Sequence, residues 1–326
     1  MTIHEVAPQR RGSGVPAVLG AAVLWGTVGP AQVLAASAAA PAAIGAGRML
    51  LGGLVLALCT ARPQGLRTLI RPRVRRWLLL SVLVTAAFQL CFLEAVSRTG
   101  AALATAAAFG TTPIAAGLCS RVLNAERPGP RWWRATVLAV TGLALLLVPA
   151  DGRGADLLGI LLAVAAGTSF AVYIAATGPL TRHGGDPAAA APVSVLGAGL
   201  LVLPALLVAP EGLAAPRTAA LICWLAFGTT ALGYLLFTRG VGRLGAATTA
   251  TLSLAEPLVA ALLGLLLGER PGPPAALGLA LLLGGLVLAA LPDRKVRSGR
   301  RTGSGRNGLP DRNGLPDRNA RPSQRS

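Results

Sequence analysis

An acidic residue followed by a proline lies in the middle of a long apolar segment. Glu256-Pro257 interrupts the run 253–268, where inserting a carboxylate at mid-bilayer depth costs about 2.5–3.5 kcal/mol. Such an acid needs a partner or a wet cavity, so Glu256 is a candidate to bind a cationic or amino-bearing group, or a proton. The alternative is structural: a protonated Glu256 hydrogen-bonds a neighbouring helix and holds the distortion at Pro257. The sequence leaves both open.

Pro113 and Pro257 lie near the midpoints of two apolar segments. A proline frees the carbonyl four residues back, here that of Phe109 or Ser253, and disturbs the helix. Interrupted helices at corresponding positions of two repeats indicate the binding site of a transporter, although a plain packing kink is the alternative. The candidate binding residues at these two points are Thr112, Pro113, Ser253, Glu256 and Pro257.

Arg48 and Glu94 are further charges inside apolar segments. Each lies a few residues inside the same end of its span, so the two could pair and relieve the desolvation of both. This spacing predicts a gating ion pair, with snorkelling of Arg48 to the headgroups as the alternative. We also predict that several polar and aromatic residues line a cavity, where they could stack on a substrate or hydrogen-bond it. They are Trp25, Gln89, Tyr173 and Tyr234. The alternative for these residues is core packing.

The elements that position these residues are long apolar helices. Hydrophobic residues make up 53% of the 326 residues and charged residues 13%, against about 25% charged residues in a soluble domain. The apolar blocks have the length of about 20 residues that spans a hydrocarbon core of ~30 Å. We predict an all-α integral membrane protein with ten transmembrane helices, at 16–36, 41–60, 77–97, 101–123, 132–150, 156–178, 188–209, 218–238, 246–268 and 274–291.

The basic residues predict the orientation of these spans. With the N-terminus in the cytoplasm, 25 of the 30 Lys and Arg residues fall in cytoplasmic segments, as the positive-inside rule requires. We therefore expect a multi-pass protein of the cell (plasma) membrane with both termini cytoplasmic. The net charge of +18 then faces anionic lipid, and no nucleic-acid partner is expected.

The pentapeptide Glu-Arg-Pro-Gly-Pro occurs twice, starting at Glu126 and at Glu269. Its proline and glycine residues are typical of a helix end and a turn. The spacing places five spans in each copy, and an odd number inverts the second copy relative to the first. The predicted parts are a cytoplasmic tail (1–15), a first repeat (16–150), a second, inverted repeat (151–291) and a disordered basic cytoplasmic tail (292–326).

Several of these motifs occur together in a known superfamily. The chain resembles the EamA-type transporters of the drug/metabolite transporter superfamily in Leu24-Trp25-Gly26, Arg48, Pro113…Glu126-Arg-Pro and Glu256-Pro257…Gly268-Glu269-Arg-Pro. The resemblance implies ten helices around a central cavity and transport of small organic metabolites or drugs by alternating access. Thr112 stands where the second repeat has Glu256, which departs from a symmetric pattern.

We therefore expect a secondary, gradient-driven exporter of small metabolites such as amino acids, or of drugs. No phosphate-binding Gly-x-x-x-x-Gly-Lys-Ser/Thr loop is present, so the energy must come from gradients, with a proton as the candidate coupling ion. The alternatives are a lipid-modifying membrane enzyme and a membrane scaffold. We expect no enzymatic activity, catalytic residue, metal or cofactor. The expected partners are a small-molecule substrate and the lipid bilayer, and the protein is expected to be a monomer or a homodimer.

Overall fold

The computed structural model of the protein describes residues 14–125, 127–146, 156–208, 210–266 and 273–291. All regular elements within these ranges are helical. They are α1 (Val15–Gly26), α2 (Val28–Ala35), α3 (Pro41–Thr60), α4 (Pro63–Leu69), α5 (Pro72–Thr99), α6 (Ala101–Leu123), α7 (Pro130–Leu146), α8 (Leu157–Arg182), α9 (Pro187–Val208), α10 (Pro216–Trp224), a π-helical segment (Leu225–Leu232), α11 (Gly233–Leu244), α12 (Ala246–Leu252), α13 (Ala255–Leu266) and α14 (Pro273–Ala290).

Nine spans of the described chain are long and apolar enough to cross a membrane. They include α1 with α2, α10 with α11, and α12 with α13, each pair making one span. The expected fifth span corresponds to α7, of which 17 residues are described before a stretch outside the described ranges. The prediction of an all-α membrane protein is confirmed. Its count of ten spans stays a prediction.

Seven helices begin at a proline, namely α3, α4, α5, α7, α9, α10 and α14. Proline suits the first turn because its missing N–H has no intrahelical partner there and its φ is already helical. Prolines therefore mark where these seven helices begin.

Glycine residues bring the two halves of the chain into backbone contact. A Cβ at Gly142 of α7 would meet the backbone nitrogen of Leu282 in α14, and one at Gly278 would lie 2.6 Å from the Gly142 carbonyl oxygen. A Cβ at Gly167 of α8 would meet the Ala108 carbonyl of α6. Small residues at such contacts compensate for the missing hydrophobic drive between helices in lipid. The halves interleave, with α5 against α8, α3 against α9 and α7 against α14.

The structure interrupts one of the two proline-containing spans. The second-half span breaks between α12 and α13 at Ser253 and Leu254, which places Pro257 in the first turn of α13, where its missing N–H leaves no helical bond unmade. Pro113, by contrast, lies inside the continuous α6. The expected interruption at Pro113 is therefore wrong. The helix α6 packs against α8 before this residue, where Ala108 meets Gly167, and after it, where Ala116 shares a core cluster with residues of α8.

Two further breaks were not predicted. The first span changes from α1 to α2 at Thr27, and the span of α10 and α11 passes through the π-helical segment. Single π-helical turns occur often at functional sites, and both breaks lie beside the cavity described below. Glu126 and Glu269, which begin the two copies of the repeated pentapeptide, lie outside the described residues. So do both predicted tails, apart from Gly14 and Val15.

Candidate functional site

A cavity of about 140 Å³ lies among helices of both halves. Its walls come from α1, α2, α3, α5, α6, α8, the π-helical segment, α11 and α13. Two residues at its rim, Gln32 and Pro41, are exposed, so the cavity reaches the surface of the protein. Five sequence-predicted residues line it, and they are Trp25, Arg48, Gln89, Tyr234 and Glu256.

Arg48 enters the cavity from α3 and is held by an amide. Its Nη2 donates a hydrogen bond to Oε1 of Gln89 on α5 at 3.1 Å. Gly45, one turn before Arg48, leaves the space for this amide, since a Cβ there would lie 2.6 Å from Gln89 Nε2. Among the described residues this is the hydrogen bond that the guanidinium makes, and a guanidinium carries further N–H groups that can bind an anion from the cavity.

Glu256 enters the same cavity at the second position of α13, and a helix N-terminus stabilises its negative charge. No hydrogen bond or ion pair from the described part of the chain reaches its carboxylate. Arg48 and Glu256 are not within the 4.0 Å of an ion pair. Arg48 and Glu256 therefore share one cavity without a direct ion pair between them.

Gly26 allows α1 to pack closely against α13 because it has no side chain. A Cβ at Gly26 would lie 2.6 Å from Val259 Cβ and 2.8 Å from the carbonyl oxygen of Glu256. The end of α1 thus contacts the backbone that carries the acid. The Leu24-Trp25-Gly26 motif helps to set the position of Glu256.

Trp25 has both of its expected roles. Its indole Nε1 donates a buried hydrogen bond of 2.8 Å to the carbonyl oxygen of Thr229 in the π-helical segment. Its ring lines the cavity and contacts the rings of Phe170, Tyr234 and Phe237. A second indole, that of Trp224, donates to Thr27 Oγ1 at 3.1 Å. The hydrogen bonds of Trp25 and Trp224 therefore connect the first span, near its break at Thr27, with the π-helical segment and the residue that precedes it.

Comparison with known proteins agrees with this architecture. The sequence model of the EamA-like transporter family matches the chain twice, over residues 12–148 and 157–291. The chain belongs to the EamA-like transporter family. It is therefore a multi-pass membrane transporter of the drug/metabolite transporter superfamily, as its motifs predicted.

Two curated relatives extend this result. The uncharacterized transporter YwfM of Bacillus subtilis (strain 168) is 35% identical over 284 residues, covering 86% of this chain and 95% of the relative. The uncharacterized protein PA1977 of Pseudomonas aeruginosa is 34% identical over 222 residues, covering 66% of this chain and 72% of the relative. A protein of known crystal structure shares the fold with a TM-score of 0.74 at 22% identity, covering 86% of this chain and 97% of its own.

Five other predicted residues of this EamA-like transporter lie away from the large cavity. Thr112 is buried and its hydroxyl donates to the carbonyls of Ala108 and Gly167, at 2.9 and 3.2 Å. Ser253 is buried and donates to its own helix. Both hydroxyls are thus satisfied by the backbone, and that of Thr112 also joins α6 to α8. The remaining three are Pro113 and Pro257, which are buried, and Tyr173, which lines a separate cavity.

The predicted pair of Arg48 with Glu94 is wrong. Oε1 of Glu94 lies 2.7 Å from Nε of Arg98, one turn further along α5, and Arg98 also lies 3.4 Å from Asp156. Glu94 is about half exposed, so it can pair at the surface without the desolvation that a partner near the cavity would suffer. The hydrogen bond from the Gly159 amide lowers the pKa of Asp156 below its usual value, and the Arg98 guanidinium adds a smaller effect in the same direction.

Phenylalanine residues of the site were missed from the sequence. The chain contains only six phenylalanines, and four of them line the large cavity. The signal was their rarity, because leucine and alanine fill the other apolar positions of this chain. The missed phenylalanines are Phe88, Phe92, Phe109 and Phe170.

Proposed function

We propose that this protein is a gradient-driven exporter of small zwitterionic metabolites such as amino acids, which works by alternating access and is not an enzyme. The observation that carries the proposal is the presence of Arg48 and Glu256 in one cavity without an ion pair between them. A molecule with a carboxylate and an ammonium group satisfies both charges at once, whereas a singly charged molecule leaves one of them unpaired, which is costly in a desolvated site.

The two charged residues differ in how they can hold such a substrate. A guanidinium presents a planar fork of donors that matches a carboxylate, and Gln89 keeps that of Arg48 in place. The carboxylate of Glu256 accepts hydrogen bonds from an ammonium group. The remaining part of the substrate meets the phenylalanine rings, which favours an apolar or aromatic side chain.

The size of the cavity favours a metabolite over a drug. Sites for drug-sized ligands have volumes of about 300–1,000 Å³, whereas this cavity measures about 140 Å³. We therefore place amino-acid-sized molecules before drugs in the list of substrates to test.

We propose export as the direction of transport, with both termini in the cytoplasm as the distribution of basic residues favours. In this orientation the large cavity opens to the outside, because Gln32 in α2 and Pro41 at the start of α3 flank the link between the first two spans. A proton is the proposed coupling ion, and Glu256 is its proposed binding residue, so substrate ammonium and proton compete for one carboxylate.

Counterflow into proteoliposomes tests the substrate class. Vesicles loaded with an unlabelled mixture of amino acids are given a radiolabelled amino acid, its amide or its N-acetyl derivative. We expect uptake of the zwitterion, with little uptake of the amide, which lacks the carboxylate, or of the N-acetyl form, which lacks the ammonium. Equal uptake of all three forms, or of none, contradicts the proposal.

Matched variants assign the two charges. Arg48→Gln and Glu256→Gln should each weaken zwitterion binding by about 10- to 150-fold, because a hydrogen bond to a charged group contributes roughly 1.5–3 kcal/mol. Arg217→Gln and Glu211→Gln, which change exposed residues, serve as controls and should bind as the wild type does. Binding that is insensitive to both cavity substitutions removes the charges from the mechanism.

A further inference from the structure

A second, smaller cavity of about 20 Å³ lies among α5, α8, α9 and α11. None of its lining residues is exposed, and none of them also lines the large cavity. A volume of about 10–15 Å³ is enough for one water molecule, so this space is of the size of a single water. The side-chain hydroxyls of its wall include those of Ser81, Tyr173, Thr177, Ser194 and Thr238.

Two pairs of aromatic residues lie between the cavities. On α8, Phe170 lines the large cavity and Tyr173 the small one. On α11, Tyr234 lines the large cavity and Phe237 the small one. The members of each pair are three residues apart, which is about 4.5 Å along a helix. The layer that separates the cavities is therefore about one helical turn thick.

The rings of this aromatic layer contact one another across the two helices. Phe170 stacks on Phe237 with 5.8 Å between centroids, and Tyr173 meets Tyr234 edge to face at 6.1 Å. Trp25 covers the layer from the side of the large cavity, 5.1 Å from Phe237 and 5.6 Å from Tyr234. These separations are those of attractive aromatic pairs, so the rings form one cluster of contacting side chains between the two cavities.

The small cavity lies toward the ends of the helices that face away from the mouth of the large one. Thr177 is near the end of α8, Pro187 begins α9, and Thr238 and Val241 are near the end of α11. Gln32 and Pro41, at the rim of the large cavity, flank the link that joins the other ends of the first and second spans. The two cavities thus lie on one path through the molecule, with the aromatic layer between them.

We propose that Phe170, Tyr173, Tyr234 and Phe237 form the gate of this transporter, and that the small cavity is a narrow part of the passage on the far side of the gate. This inference rests on the proposed function, because a gate has meaning only for alternating access. Separation of α8 from α11 removes the ring contacts and joins the two cavities. The wall of the passage then offers neutral hydroxyls, which hydrogen-bond a passing molecule without the strong hold of a charge.

Cysteine accessibility tests the gate without any knowledge of the substrate. The four native cysteines are replaced by serine, and Gln32→Cys or Thr238→Cys is introduced into the full-length protein in liposomes. A positively charged methanethiosulfonate is added, and the rate of modification is measured. We expect Gln32→Cys to react about tenfold or more faster than Thr238→Cys, since the rate follows the population of the open form.

Removal of one ring of the layer should open the path. Phe237→Ala should raise the modification rate of Thr238→Cys by about tenfold and leave that of Gln32→Cys unchanged. Phe227→Ala is the matched control, because Phe227 is an exposed phenylalanine of the same span and should have no effect. If Phe237→Ala does not give folded protein, Phe237→Leu takes its place and should act in the same direction.

Two results overturn the gate. One is a Thr238→Cys rate that Phe237→Ala leaves within about twofold, and the other is an equal increase caused by Phe227→Ala. Failure of the proposed function is a separate result, because it is read from counterflow. A protein that labels as expected but moves no zwitterion refutes the substrate class and keeps the gate, whereas a protein that moves the zwitterion but labels identically in all variants refutes the gate.

Discussion

Replacing Gly26 by alanine tests whether contact between α1 and α13 positions Glu256. The added Cβ would lie 2.6 Å from Val259 Cβ and 2.8 Å from the carbonyl oxygen of Glu256. Ordinary contact begins at 3.4 Å, so the two helices must separate by roughly 0.6–0.8 Å to restore it. The atoms that must move belong partly to the backbone, which cannot change rotamer to make room.

The expected magnitude follows from two opposing effects. Overpacking of this kind costs about 1–3 kcal/mol, whereas glycine to alanine in a helix gains about 0.5–1 kcal/mol. Gly29→Ala is a matched control three residues along the chain, because no atom lies within 4 Å of a Cβ there. Both variants receive the helical gain, so their unfolding free energies should differ by about 1–3 kcal/mol, with Gly26→Ala the less stable.

Thermal unfolding of the two variants in detergent measures this difference, and counterflow measures its effect on transport. Gly29→Ala should melt at or above the temperature of the wild type and transport normally. Gly26→Ala should melt below it and transport more slowly, because the displacement also moves Glu256. Equal melting temperatures for the two variants would show that α1 does not support α13 by close contact.

Three further substitutions test other contacts. Trp25→Phe leaves a buried carbonyl without its indole donor and should cost about 1–3 kcal/mol of unfolding free energy, more than Trp224→Phe, whose bond is exposed; equal losses in urea unfolding contradict this. Gly142→Ala places a Cβ against the backbone of α14 and should lower the melting temperature, whereas Gly110→Ala, with its nearest atom at 3.6 Å, should not. The lowered pKa of Asp156 means that its carboxylate stabilises the fold above the usual value of about 3.9, and this contribution is lost as the pH falls through the lower value of the folded state. Asp156→Asn should therefore melt below the wild type near neutral pH and converge with it in acid, and a constant difference in melting temperature across this range excludes the linkage.

The sequence predicted the large cavity better than its supporting contacts. Arg48 and Glu256 can be predicted from the sequence because charged groups are expensive inside a span, and that energetic argument does not depend on the fold. The partner of Arg48 was predicted wrongly, because a pairing depends on which helix faces point at each other. Glu94 turns to Arg98 at the surface, and Gln89 takes its place.

The two mid-span prolines show the same limit. Pro113 and Pro257 have the same chemistry, yet the structure has a continuous helix at the first and a break before the second. A proline permits a break, but the packing of neighbouring helices decides whether the chain makes it. The π-helical segment had no signal in the sequence, since a change of hydrogen-bond register leaves the composition of a span unaltered.

The sequence by itself determined the apolar spans and the residues too polar to face lipid, because the free energy of transfer into a bilayer is a property of each residue and its neighbours in the chain. Tertiary structure alone decided that Arg48 and Glu256 share a cavity without pairing, and that four aromatic rings separate it from a second one. Those arrangements depend on contacts between helices far apart in sequence, which glycine residues such as Gly26 and Gly142 allow to approach closely. The distances across the cavity are therefore set by packing, which no local pattern of residues encodes.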